Sequence, residues 1–262
     1  MKKVLLLQIA LNYVNPKNYS GWEGKLEGCL HDASKMFDML ISLQKIEIVD
    51  FCELTNEQAT VANFTDLLKR FLTLTSAEKL IITYSGHGGQ VKDRNKDETD
   101  GLDETFCLYD GQVIDDDIYK MINAYGSINK EVILFVDSCH SGTISRAERL
   151  GFLTLTQVDK DLNKKICPRD ISLLSRSHSI FKKSRISQKD NKIPLICFSA
   201  CQEYQYSYDT PNGGLFTKAL CEVIKPELKY EPLLLKVIPK IIKLQKPRIT
   251  YRNTIINKQI FS

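Results

Sequence analysis

The chain has 262 residues, a net charge of +4, 43% hydrophobic and 26% charged residues, which fits one large α/β domain or two small ones with a real buried core. Lysines and arginines are spread along its length, so no basic groove for a nucleic acid is visible. No run of about 18 apolar residues is present that could span a membrane as a helix.

Met1-Lys2-Lys3 followed by a short apolar run that breaks at Gln8 reads as a buried first strand over residues 3–14 rather than a leader peptide. Further apolar runs at residues 46–51, 80–84, 132–136 and 195–199 are rich in Val, Ile, Leu and Phe and lack clean alternation. Strands covered on both faces, as in a parallel sheet, have that pattern. Amphipathic helical stretches lie between them, at residues 32–43, 60–72, 116–125 and 214–224. Strand and helix alternate, so the fold class is α/β, a layered sandwich around a mainly parallel sheet. Two segments break the rhythm. Residues 92–104 are polar and acidic and read as a solvated loop, although Asp93-x-Asn95-x-Asp97 with Glu104 has part of the spacing of a calcium-binding loop. Residues 146–192 are rich in Lys, Arg and Ser, too long for an ordinary connection, and read as a functional or mobile linker.

Eight cysteines, at 29, 52, 107, 139, 167, 197, 201 and 221, show no tight spacing, and several sit in apolar runs. With only four histidines and no Cys-x-x-Cys pair, neither a disulfide framework nor a zinc centre is indicated. Reduced thiols in a cytoplasmic protein are the expectation.

Two of the apolar runs end in reactive groups: Tyr84 leads into Ser85-Gly86-His87-Gly88-Gly89, and Val136 into Asp137-Ser138-Cys139-His140-Ser141-Gly142. In open α/β sheets, active residues sit just past the carboxyl ends of strands. A thiol at one strand tip and an imidazole at the next are the two partners of a cysteine nucleophile. Cys139 is the candidate nucleophile and His87 the base. His140 is a rival, but as the neighbour of Cys139 it projects away from it. The glycines leave the amides of Gly88 and Cys139 free to face a developing oxyanion.

These residues resemble the His and Cys boxes of metacaspases, within the wider caspase-like family. Other segments match too: residues 5–13, Gly28-Cys29-Leu30-His31-Asp32-Ala33, residues 199–207 and Gly213-Gly214-Leu215-Phe216-Thr217. The resemblance covers about residues 3 to 225; residues 226–262 carry no usable signal. It implies a caspase-like three-layer sandwich with a mainly parallel six-stranded sheet. The whole chain would form one peptidase domain: a large-subunit-like part (1–145), a basic linker (146–192) and a small-subunit-like part (193–262).

The resemblance also implies a cysteine endopeptidase, monomeric as metacaspases often are, that cuts proteins or peptides after Arg or Lys, with Arg somewhat favoured. Asp32 and Asp137 fall on the family's acidic pocket positions and Ser85 on a third. Carboxylates at the floor of a partly desolvated pocket bind a guanidinium or ammonium through charge-assisted hydrogen bonds. The plainer reading of Asp32 is a helix cap or first-turn acid. Family members often cut themselves in the linker, where Lys160, Lys164, Lys165, Arg169, Arg176, Lys182, Lys183 and Arg185 lie; a solvated surface loop is the plainer reading. No cofactor is needed for the chemistry, but many relatives are activated by Ca2+. Asp103, Asp115 and Asp116 fall on three such positions, whereas the fourth is Arg146, which would repel the ion. Three other readings stay open: a non-catalytic interaction module, another cysteine hydrolase, and a calcium-independent paracaspase-like enzyme.

Overall fold

The structure, a computed structural model, describes residues 1–93, 101–127, 129–139, 162–175, 177–178, 193–202, 205–254 and 257–261. In chain order the first elements are β1 (Lys2–Ala10), α1 (Cys29–Ser42), β2 (Ile46–Thr55), α2 (Val61–Thr73), β3 (Lys79–Ser85), β4 (Gly88–Lys92), β5 (Leu102–Leu108), β6 (Gly111–Ile114), α3 (Asp115–Tyr125) and β7 (Glu131–Asp137). They are followed by β8 (Asn163–Lys164), α4 (Arg169–Leu174), β9 (Ser177–His178), β10 (Leu195–Ser199), β11 (Tyr208–Asp209), α5 (Leu215–Val223), α6 (Tyr230–Ile241) and β12 (Arg248–Arg252).

Six strands form the central sheet in the order β12-β10-β7-β3-β1-β2. All neighbours pair in parallel except β12, which runs antiparallel to β10 at one edge. The expected strands are all present, because a strand with helices on both faces must be apolar throughout. Every residue of β3 and of β7 is buried. Successive side chains alternate between two cores. Leu5, Leu7, Leu80, Ile82, Val132 and Leu134 pack with α2 and α3 on one face. Val4, Leu6, Ile81, Ile133 and Phe135 pack with α1, α5 and α6 on the other.

Residues 226–262, silent in the sequence, complete this architecture. Helix α6 buries Tyr230, Leu233, Val237 and Ile241, one stripe at helical spacing, and β12 supplies the sixth strand. The first strand stops at Ala10 rather than at residue 14. A second sheet, β4-β5-β6-β9, frames the acidic stretch, with β4 and β5 forming an antiparallel pair. Asn95 and Asp97 lie outside the described residues, as do Arg146 and most of the basic linker. The part of the linker that is described is ordered secondary structure: β8 pairs with β11, and α4 docks on β4. No helix among the described residues is long and apolar enough to cross a membrane.

Candidate active site

Strands β3 and β7 are adjacent and parallel, and their last paired residues are Ser85 and Asp137. Each chain runs two residues further, to His87 and to Cys139, so the register alone delivers both groups to one end of the sheet. The two loops touch. A Cβ on Gly88 would stand 1.7 Å from the Cys139 carbonyl oxygen, an approach only glycine permits.

The His87 ring is buried, with Nε2 3.0 Å from the Gly24 carbonyl oxygen. A carbonyl only accepts, so Nε2 carries the hydrogen and Nδ1 presents its lone pair. Nδ1 has no hydrogen-bond partner. The Trp22 ring packs against the imidazole at 4.7 Å between centroids and fixes its tilt. Burial, helped by the Lys165 ammonium, holds the imidazole at a pKa of about 3, against the pull of the Gly24 and Ile166 backbone. The ring is therefore neutral.

The Cys139 thiol is fully buried. Its Sγ accepts the Ser207 N–H at 2.9 Å, and the thiol points back at the Ser207 carbonyl at 3.6 Å. Burial, together with the neighbouring Cys201 thiol, pushes its pKa well above the ordinary value, so it rests as a neutral thiol. Thiol and imidazole sit on touching loops, but the sulfur's hydrogen bonds go to Ser207 rather than to the ring.

A segment of the linker covers both groups. Asn163 and Lys164 pair antiparallel with Asp209 and Tyr208, and Lys165 N–H donates to the Ser207 carbonyl at 2.9 Å. Beyond Lys165 the segment crosses to the histidine loop, with Ile166 bridging Gly88 in parallel and Cys167 N–H donating to the Gly88 carbonyl at 2.8 Å. Between these anchors, the Lys165 carbonyl oxygen accepts two amides at once: Gly88 N–H at 3.1 Å and Cys139 N–H at 3.2 Å. The two amides read from the sequence as oxyanion donors thus converge on one peptide oxygen.

The Lys165 side chain is equally well placed. Its ammonium, without solvent exposure, lies 2.8 Å from Asp32 Oδ2, 2.8 Å from Ser85 Oγ, 3.4 Å from Asp137 Oδ1 and 3.7 Å from Asp209 Oδ1. Asp32, Asp137 and Ser85 were expected to line one pocket, and they surround one cation. Asp32 does not cap its helix: the cap position of α1 is Gly28, and Asp32 faces inward to accept from Ser85 Oγ at 2.7 Å and Gly214 N–H at 2.8 Å. Asp137 is held by Ser207 Oγ at 2.6 Å through Oδ1 and by Thr217 Oγ1 at 2.7 Å through Oδ2. Burial raises the Asp32 pKa, with the Asp137 charge adding to it, while the Lys165 ammonium pulls it down. Burial alone would lower the Lys165 pKa, but the Asp137 and Asp32 carboxylates lift it well above normal, so the lysine stays charged.

Sequence reasoning missed Lys165 itself, Asp209, and the Ser207 and Gly24 backbone groups. Lys165 was one of twelve basic residues in the linker, and nothing local distinguished it.

Of the three acids the resemblance assigns to calcium, Asp103 lies on β5 and Asp115 and Asp116 open α3. Asp116 Oδ2 is 3.1 Å from the Lys120 ammonium, which also lies 3.7 Å from Asp117 Oδ1. Asp103 sits in β5, paired across from Val91. Among the described residues, no group of three or more acidic, His or Cys side chains is placed to hold a metal.

Comparison with known proteins bears on the family and the fold. The family model described as Caspase domain matches residues 8–256. The chain belongs to the caspase domain family. Among curated caspase-domain relatives, metacaspase-1 of Schizosaccharomyces pombe is 28% identical over 89% of this chain, and the match spans 62% of that protein. The chain spans about 60% of the length of the first metacaspases it matches. A crystal structure of a Geobacter sulfurreducens protein superposes with a TM-score of 0.77 at 27% identity, covering 99% of this chain and 98% of that one. Caspase-1 of Spodoptera frugiperda shares the fold at 12% identity, with a TM-score of 0.62 over 98% of this chain and 90% of that one. The caspase-like sandwich and the kinship with metacaspases expected from the His and Cys boxes both hold.

Proposed function

We propose that this caspase-domain chain is a cysteine endopeptidase that cuts after Lys or Arg, and that its own Lys165–Ile166 bond is a substrate. One observation carries the reading: a single lysine has its carbonyl oxygen on the Gly88 and Cys139 amides while its ammonium fills a pocket of carboxylates. A peptide running antiparallel to a sheet edge, with one side chain in a specificity pocket, is bound as proteases bind substrates. Lys165 occupies the position before the cut and Ile166 the one after it.

In this reading Cys139 gives its proton to His87 Nδ1, the ring nitrogen with a free lone pair. The sulfur attacks the Lys165 carbonyl carbon, and the oxyanion is held by the two amides that already touch that oxygen. The imidazolium then protonates the Ile166 nitrogen, the C–N bond breaks, and water hydrolyses the thioester. Before the first step the thiol must turn from Ser207 toward the ring. The resting site is thus both loaded and closed, and peptides reach it only after residues 163–168 move away. This reading routes no step through calcium; of the acids the resemblance assigns to it, Asp116 pairs with Lys120. Adding calcium or a chelator is expected to change turnover by less than about twofold, while a clear calcium requirement would show that the ion is needed, with Lys120 giving way at Asp116 or a site forming elsewhere.

The test uses purified protein with Arg-, Lys- and Asp-terminated reporter peptides, alongside Cys139→Ala. Turnover of the basic peptides, lost in the variant, and a fragment whose N-terminal residue is Ile166 are expected. Faster cleavage of the Asp peptide, or turnover that survives in Cys139→Ala, defeats the reading.

A further inference from the structure

Lys165 is not the only residue that anchors the covering segment. Burial alternates along it: Lys165 and Cys167 are buried, while Ile166 is half-buried and Pro168 exposed. In an extended chain, side chains two apart point the same way. One glycine holds the register between them. Gly88 N–H donates to the Lys165 carbonyl at 3.1 Å, and the Gly88 carbonyl accepts Cys167 N–H at 2.8 Å. A peptide whose carbonyl rests on the Gly88 amide therefore delivers its second residue after the cut to the place that Cys167 fills.

That place is closed and apolar. Cys167 packs in a cluster with Val14, Tyr19 and Cys107, all buried, and Trp22 leans on it. The Trp22 ring meets Tyr19 edge-on at 6.0 Å between centroids and also packs against the His87 ring, so one residue walls both the cluster and the imidazole. The polar atoms here are already engaged: the Tyr19 hydroxyl donates to the Leu108 carbonyl at 2.6 Å, and Cys107 Sγ lies 3.9 Å from Gln112 Oε1. Burial, with the adjoining Cys167 thiol adding to it, pushes the Cys107 thiol well above its ordinary pKa, and burial does the same to the Tyr19 phenol, so both stay neutral. A charged side chain entering here loses its water and finds no counter-charge among these residues. A side chain much larger than cysteine overpacks the buried walls. We propose that Val14, Tyr19, Cys107 and Trp22 form a second specificity pocket, which takes a small apolar side chain two residues after the cut. This rests on the peptidase reading above and extends it to the half of the substrate that leaves first.

Reporter peptides that carry a dye at the cut cannot sense this pocket. The test uses internally quenched peptides that run through it, identical except at the second residue after a common Arg-Ile bond. With wild-type protein, kcat/KM for the Ala and Val peptides is expected to exceed that for the Asp, Lys and Trp peptides by roughly tenfold or more. Cys107→Ala removes the sulfur from the pocket and should raise kcat/KM for a Met peptide relative to the Ala peptide by about threefold or more. Equal rates across the wild-type panel overturn the inference and leave the peptidase reading intact, even if Cys107→Ala fails to fold. An unmoved Met-to-Ala ratio in folded Cys107→Ala places the preference elsewhere and overturns it too. Wild-type protein that cleaves neither these peptides nor the dye reporters removes the reading beneath it as well.

Discussion

A buried ammonium needs partners for its charge, and Lys165 is lodged by two carboxylates that are themselves buried and hydrogen-bonded. Removing one partner of such a group exposes the others. In Lys165→Ala the Asp32 and Asp137 carboxylates lose their shared cation, so the covering segment loses its main anchor. The expected outcome is no cut at position 165 and faster hydrolysis of added basic peptides, seen by mass spectrometry and reporter turnover; Lys165→Arg should still be cut. His87 makes a second statement at this scale. Its folded pKa of about 3 lies below the unfolded value of about 6.5, so the unfolded chain takes up a proton that the folded one refuses. Stability should therefore fall as the pH drops from about 6.5 toward 3. Melting temperatures of Cys139→Ala across this range would show the slope, and adding His87→Gln should flatten it.

At the scale of elements, the site is a junction of strand tips and one strap, and the two were unequally legible. His87 and Cys139 could be read because each follows an unbroken apolar run, and such runs mark strands whose ends are forced out of the core. The strap could not. Strands β8 and β11 have two residues each, and their pairing is decided by contacts from distant parts of the chain rather than by any local pattern. Asp209 was invisible for the same reason: its partners at Glu27 and Gly28 lie over 180 positions away. The Gly213-Gly214 pair did carry a signal, through its resemblance to a family motif, and the structure supplies its physical meaning. A Cβ on Gly214 would lie 2.3 Å from Asp137 Oδ2 and 2.6 Å from the Lys165 ammonium, inside the pocket itself. Gly214→Ala is therefore expected to block basic side chains, lowering kcat/KM for both reporter peptides by roughly five- to 150-fold, as overpacking of about 1–3 kcal/mol implies. An unchanged value would mean that the pocket is not where these peptides bind.

For the whole molecule, the last forty residues matter because they lock the end of the sheet opposite the site. Lys79 and Glu131 begin β3 and β7 as register partners and pair at 2.7 Å. Lys258 also contacts Glu131, the Tyr230 hydroxyl donates to it, and Lys79 donates to the Ile260 carbonyl at 2.9 Å. One buried carboxylate thus ties two central strands to α6 and to the chain's last turn, segments that no sequence motif pointed to. Burial pushes the Glu131 pKa up, but Lys79 and the Lys258 and Tyr230 hydrogen bonds outweigh it and hold the carboxyl below its ordinary value. Glu131→Gln leaves the Lys79 ammonium buried without its counter-charge, a loss of about 3–5 kcal/mol. A folded pKa below the unfolded value of about 4.3 means that this contribution is present above that pH and fades as the pH falls through the folded value. The stability gap between wild type and Glu131→Gln, measured by denaturant titration, should be widest near neutrality and shrink as the pH falls below about 4.3. The strands put roughly 20 Å between Glu131 and the catalytic tips, at about 3.3 Å per residue, so well below its melting point the variant should turn over basic peptides within about twofold of wild type. A large loss of turnover in folded Glu131→Gln would mean that the two ends of the sheet are coupled, and that the carboxyl end does not hold the site by itself.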